Sequence, residues 1–230
     1  MTSYCGLPPG PFELGSRWNL DPLLLAALGA ALLLARRSRR PGLAMAAVGV
    51  LALAFVSPLC ALSVALFSAR ALHHLLLVTA AAPLIALAWP AARPGTPGLS
   101  LAVATAVLWA WHLPALYDAA LANTGVYWLM QATLLGSAVW SWRAVFAAPP
   151  LAGGLAAILG MAQMGLLGAL LTFAARPLYA AHFGTTEPWG LAQLADQQLA
   201  GLLMWVAGII PYALAVALIG RRAWRGGLPA

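Results

Sequence analysis

The side chains able to do chemistry in this sequence fall in four separate stretches: His73 and His74, then His112, then His182, then Asp196. Imidazole and carboxylate are ordinary ligands for copper, zinc and haem iron. Neutral imidazole is the binding form, so a site built from them weakens as pH falls through the histidine range. Adjacent His73 and His74 point roughly 100° apart on a helix, which argues against both holding one ion. The plainer alternative is a histidine that only hydrogen-bonds a neighbouring helix. Four of them gathered toward one end of the chain's helices favour a site over four separate struts.

Methionines form a second set. Met161 and Met164 share a helix face at i and i+3, and Met130 and Met204 lie inside other apolar runs. Thioethers suit Cu(I), but methionine also fills apolar gaps. Cys5 and Cys60 make neither a CxxC nor a zinc pattern; pairing, metal binding and plain burial are all open to them. Gln163, Thr172, Gln197 and Gln198 read as interhelical hydrogen-bonders, and Gly160, Gly165 and Gly168 as a close helix contact. No phosphate loop, nucleophile elbow, HExxH or dinucleotide fingerprint occurs. No catalytic turnover is expected.

The elements that must position these groups follow from composition. The 230 residues are 63% hydrophobic and 7% charged, against about 25% charged in soluble domains. A bilayer must solvate much of such a surface. The period-2 alternation of a membrane barrel is absent, which leaves helices as the spanning structure. A span needs roughly 20 apolar residues. Seven are expected, at 21–36, 43–60, 70–89, 99–117, 126–146, 151–174 and 195–220. Asp21-Pro22 opens the first as an N-cap followed by proline. The fold class is therefore all-α, a seven-transmembrane-helix bundle. Residues 1–20 form an extracytoplasmic segment, 21–220 the membrane domain and 221–230 a cytoplasmic basic tail. No internal repeat and no secretory signal peptide are visible.

The net charge of +7 comes entirely from arginine. Nucleic-acid binding is not the reading, because the arginines sit at the ends of apolar runs. With seven spans, Arg36, Arg37, Arg39, Arg40, Arg93, Arg143, Arg221, Arg222 and Arg225 fall on one side. Only Arg17, Arg70 and Arg176 fall on the other, together with all five acids. The positive-inside rule makes the arginine-rich side cytoplasmic and the N-terminus external. Tryptophans at both boundaries agree: Trp89, Trp140, Trp142 and Trp224 inside, Trp18, Trp128 and Trp189 outside. All four histidines then lie toward the outer face. Pro114 should loosen the backbone just after His112.

Several stretches resemble the multi-spanning CtaG family of cytochrome c oxidase assembly factors. They are Phe67-Ser68-Ala69 leading to His74-Leu75-Leu76, and Ala82-Pro83-Leu84. The run from Trp111-His112-Leu113-Pro114 to Leu121 follows, then Gly168 to Ala174 with Pro177-Leu178-Tyr179. The last is Asp196-Gln197-Gln198-Leu199-Ala200-Gly201 with Met204-Trp205. The resemblance implies a seven-helix protein of the bacterial inner membrane that helps build a haem-copper oxidase, with copper delivery as its part. His74, His112 and Asp196 match family positions. The family pattern also carries a histidine one turn before His74, where Arg70 stands, and a His-x3-His pair where Tyr127 and Gln131 stand. Either a family-wide metal site is absent here, or His73, His182 or a methionine substitutes.

Three functions compete. The first is an assembly factor holding Cu(I) near the outer leaflet with His74, His112 and Asp196, helped by His73, His182 or Met204. Its partners would be haem-copper oxidase subunits, a periplasmic copper chaperone and the lipid bilayer. The second is an outer-face zinc hydrolase built from three histidines and an aspartate. The third is a metal-free scaffold or a haem-binding assembly protein.

Overall fold

A computed structural model describes residues 3–91 and 95–225. Arg93, in the expected connection 90–98, and residues 226–230 of the expected tail lie outside them. The described residues are all-α and contain no strand; one isolated bridge joins Ser3 and Gly6. The helices are α1 (Pro22–Arg36), α2 (Pro41–Phe55), α3 (Leu59–Ala65), α4 (Phe67–Leu75), α5 (Ala82–Ala88), α6 (Pro97–Ala110), α7 (Pro114–Ala122), α8 (Thr124–Ala147), α9 (Pro150–Thr172), α10 (Gln193–Leu202) and α11 (Ile209–Arg225).

Local chemistry explains where they start. Proline occupies the first position of α1, α2, α6, α7 and α9. Its missing N–H is an orphan there in any case. Asp21 caps α1 by accepting from the Leu23 and Leu24 N–H groups at 2.8 and 3.4 Å. Asn123 caps α8 by accepting from Val126 N–H at 3.0 Å.

Two breaks shape the bundle more than any cap. α6 ends at Ala110 and α7 leaves it at an angle of 72°, with Trp111, His112 and Leu113 in the corner. Pro114 loosens the backbone as expected, and it does so fully. His112 therefore sits at a helix end rather than inside a continuous span. α2 and α3 meet at 44° around Pro58. The helical rod Phe67–Ala88 carries a π turn over Leu76–Ala81, just before Pro83. The rod Gln193–Arg225 carries another over Leu203–Ala207, before Pro211. A proline ring displaces the carbonyl one turn upstream, and a π turn absorbs that displacement without ending the helix.

Three helical rods are long and apolar enough to cross a membrane, namely Phe67–Ala88, Pro150–Thr172 and Gln193–Arg225, and up to five qualify if each bent pair is one span. α1 is apolar but only 15 residues long. α8 has 24 residues but carries Gln131, Thr133, Ser137, Ser141 and Arg143. Seven crossings need both of these as well.

The packing is the reverse of a soluble protein's. On α9, Gly153, Ala156, Ala157, Gly160 and Gly168 face inward, while Leu151, Leu155, Leu159, Leu166 and Leu170 are exposed. Small residues let backbones approach, and large apolar ones face a medium that is not water. The glycine run does pack closely, as its spacing implied. A Cβ on Gly168 would stand 2.7 Å from the Gly201 carbonyl oxygen, and one on Gly160 2.8 Å from the Tyr212 ring. α10 and α11 thus lie directly on α9.

Candidate functional site

The site sits where α3, α4, the α6–α7 corner, the α9–α10 loop and α10 converge. It begins with a helix that lacks its own cap. Leu66 breaks α3 from α4 in an extended conformation and offers no side-chain acceptor to the first turn of α4. Asp196 of α10 supplies it from across the bundle. Its carboxylate accepts from Phe67 N–H at 2.6 Å and Ser68 N–H at 3.2 Å, and also from the Ser68 hydroxyl. A carboxylate at a helix N-terminus also meets the positive end of the helix dipole. The fully buried Asp196 therefore locks α10 to α4.

His182, in the α9–α10 loop, is equally committed. Its Nδ1 lies 3.3 Å from the Ala65 carbonyl oxygen, which can only accept. Nδ1 therefore carries the proton, and the lone pair on Nε2 accepts from the Tyr117 hydroxyl at 2.7 Å. Burial, helped by the charge on Arg70 and opposed by the Ala65 carbonyl, pushes the His182 imidazole down to about 4. Tyr179 donates its hydroxyl to the His112 carbonyl at 2.9 Å and stacks on Phe67 at 4.1 Å between ring centroids. These bonds fix the loop over the corner that holds His112.

The remaining polar groups behave differently. His74 and His112 are buried with ring centroids 5.8 Å apart. His112 Nδ1 donates to the Leu108 carbonyl at 2.7 Å, so its lone pair is on Nε2. Neither ring nitrogen of His74 has a partner among the described residues. His73 points elsewhere, onto Phe55 at 4.8 Å, and its nitrogens are also unpartnered. Arg70, one turn earlier on α4, is fully buried, and none of its three nitrogens has a hydrogen-bond partner among the described residues, although the Tyr117 and Tyr127 hydroxyls lie close by. Its guanidinium carbon lies 5.4 Å from the centre of the Tyr127 ring. The buried Gln131 amide, one turn beyond Tyr127 on α8, is unpartnered at both atoms. A buried charge left without compensation costs several kcal/mol, roughly. Arg70, Tyr127 and Gln131, the three departures from the family pattern, are thus neighbours.

Of the six residues singled out as ligands, the fold brings His74 and His112 side by side. Asp196 and His182 are bonded elsewhere, and His73 turns toward Phe55. Met204 is buried in the π turn of the last rod. Among the described residues no three His, Cys, Asp or Glu side chains gather as a metal would need. The three-histidine-and-aspartate zinc centre of a hydrolase is therefore not assembled. Two adjacent imidazoles suit Cu(I), which accepts low coordination, better than zinc, which takes at least three protein ligands. His112 also has the carbonyl partner on its second nitrogen that metal-binding histidines usually have.

Sequence reasoning missed one feature and left a second open. Arg70 reads there as an outer-side charge and a departure from the family histidine, although its place three and four residues before His73 and His74 puts it on their helix face. Cys5 and Cys60 form a disulfide, with Cα atoms 5.4 Å apart. It ties the N-terminal segment to α3 beside Tyr127, whose hydroxyl lies 3.5 Å from Cys5 Sγ.

Exposed leucines outside, small residues inside and rods long and apolar enough to cross a bilayer mark an α-helical membrane protein. The family model of the cytochrome c oxidase caa3 assembly factor, Caa3_CtaG, matches residues 95–226. The chain belongs to this family of oxidase assembly factors. The matched stretch includes His112, His182, Asp196 and Met204 and leaves out His73 and His74. No curated protein and no solved structure matches the chain.

Proposed function

We propose that this chain serves oxidase assembly by holding Cu(I) between His74 and His112 and passing it to a haem-copper oxidase subunit. The carrying observation is the pair itself: two buried imidazoles, one on α4 and one in the α6–α7 corner, with ring centroids 5.8 Å apart, the His112 lone pair on Nε2 and both His74 nitrogens without a partner among the described residues. Copper is cargo in this reading, not a resident cofactor, and the chain performs no catalytic turnover. A two-imidazole grip is loose enough to release its ion to a site with more ligands. A periplasmic chaperone is the fitting donor.

The same reading sets the chain in the bacterial cytoplasmic membrane with seven crossings and the N-terminus outside. Arginine placement supports this orientation. So does the disulfide, because Cys5 and Cys60 must meet in an oxidising compartment.

The test is a Cu(I) titration of purified protein beside the His74→Ala/His112→Ala double variant. The variant should lose affinity by at least about 100-fold while keeping its fold. Affinity in the parent should fall with acid, because the ligating nitrogen must be unprotonated. Equal copper binding by both proteins would remove the pair and leave a metal-free scaffold as the reading.

A further inference from the structure

We propose that Arg70 anchors a buried site for one small monovalent anion, of the halide or simple carboxylate class. A guanidinium cannot shed its proton inside a protein, so burial leaves Arg70 charged. Its side chain has no solvent exposure, and none of Nε, Nη1 and Nη2 has a partner among the described residues. The only ion pair among those residues is Arg17 with Glu13, at the surface. The buried carboxylate of Asp196 is bound to Phe67 and Ser68. The hydroxyls of Tyr117 and Tyr127 lie close to the guanidinium and the Tyr127 ring face attracts it, but neither phenol carries a countercharge.

The surroundings select the sign of the ligand. Arg70 presents five N–H donors. Gln131 approaches the same Tyr127 phenol and has a free amide NH2. His73, three residues along α4, keeps both ring nitrogens free. The acceptors nearby, two phenol oxygens and the Gln131 carbonyl, are neutral and leave a fixed positive charge uncancelled. Another cation would be repelled. Water would offer a dipole but leave the charge uncancelled. A single anion supplies both the acceptor and the missing charge, and one fixed cation calls for one negative charge.

An approach exists. A lateral groove of about 390 Å³ between α1, α2 and α8 has Gln131 in its wall, with Tyr4, Phe55 and Trp128. Asp21 also lines it, but its carboxylate accepts from the Tyr4 hydroxyl at 2.8 Å and from two backbone N–H groups, which offsets its repulsion of an entering anion. The site uses no metal and does not depend on the copper reading.

The experiment is thermal unfolding of the purified full chain in detergent, with bulky gluconate replaced by chloride or by formate at constant ionic strength. A saturable rise of several degrees is expected from one or both anions as they reach about 100 mM. Chloride acting alone assigns a halide site, and formate acting alone a carboxylate site. Arg70→Leu should abolish the rise, and Gln131→Leu should weaken the apparent affinity about tenfold, the worth of one hydrogen bond to a charged group. No saturable rise with either anion, or an equal rise in Arg70→Leu, overturns the proposal. If Arg70→Leu does not fold, anomalous diffraction from bromide-soaked parent crystals decides. A bromide peak against the guanidinium supports the site, and its absence there overturns it.

Discussion

Asp196 and Arg70 are both fully buried, at the same end of the bundle, and both bear on α4. Asp196 accepts from three donors at the start of that helix. Arg70, one turn further along it, has no hydrogen bond at all among the described residues. The contrast extends outward from each. Around Asp196 stand the Tyr117–His182 and Tyr179–His112 bonds. Around Arg70 stand His73, His74 and Gln131, all unpartnered. Native proteins pair nearly all buried polar groups, so a cluster that departs from the rule needs a reason. The paired region acts as a strut, and under both proposals the unpaired region is the receptor. Ligands belong where the fold has left donors and lone pairs free.

The largest effect should come from breaking the strut. Asp196→Ala strips three donors of their acceptor inside the bundle and should cost about 3 kcal/mol, read from unfolding in detergent. A loss below about 1 kcal/mol would erase the distinction between the two regions.

Acid should act on the same strut through His182. Its folded pKa of about 4 lies below the unfolded value, which is roughly 6.5. Between these values the unfolded chain binds more protons, so stability is held above about pH 6.5 and lost as pH falls toward 4. The full loss approaches about 3 kcal/mol. The His182→Gln variant should show a shallower slope, the remainder belonging to the other buried histidines. A slope unchanged in the variant would assign the acid sensitivity elsewhere.

Tyr117→Phe should cost about 1 kcal/mol, because it removes one donor from a buried imidazole. It should leave Cu(I) binding unaltered. A matching fall in copper affinity would mean that strut and receptor are one network.

The smallest effect belongs to the receptor. His74→Leu breaks no hydrogen bond and keeps the volume filled, so stability should change by less than about 1 kcal/mol. Copper binding should fall sharply in the same protein. A large loss of stability would show that His74 is a hidden strut.

Much of the architecture was legible along the chain. Asp21-Pro22 announced α1, and Pro114 announced the corner at His112, though not that it would turn by 72°. The glycines of α9 announced a close helix contact, though not that α10 and α11 would make it. The pairing of Cys5 with Cys60 was one of three open choices, because the two lie 55 residues apart and nothing local joins them. Arg70 looked like a boundary charge because hydropathy reads only neighbours in sequence. Whether an arginine at the edge of an apolar run faces water or the bundle depends on the helices around it.

The sequence by itself determined the helical membrane class, most helix starts, the family and the residue types of the site. Each follows from a short window: a run of apolar residues, a cap and proline, a motif. Tertiary structure alone decided that His74 would face a free lone pair on His112 and that Asp196 would cap a helix whose first residue is 129 positions away. It also left Arg70 without a hydrogen-bond partner among the described residues. Hydrogen bonds are short and directional, so which groups make them is settled only when distant helices reach their final distance and rotation.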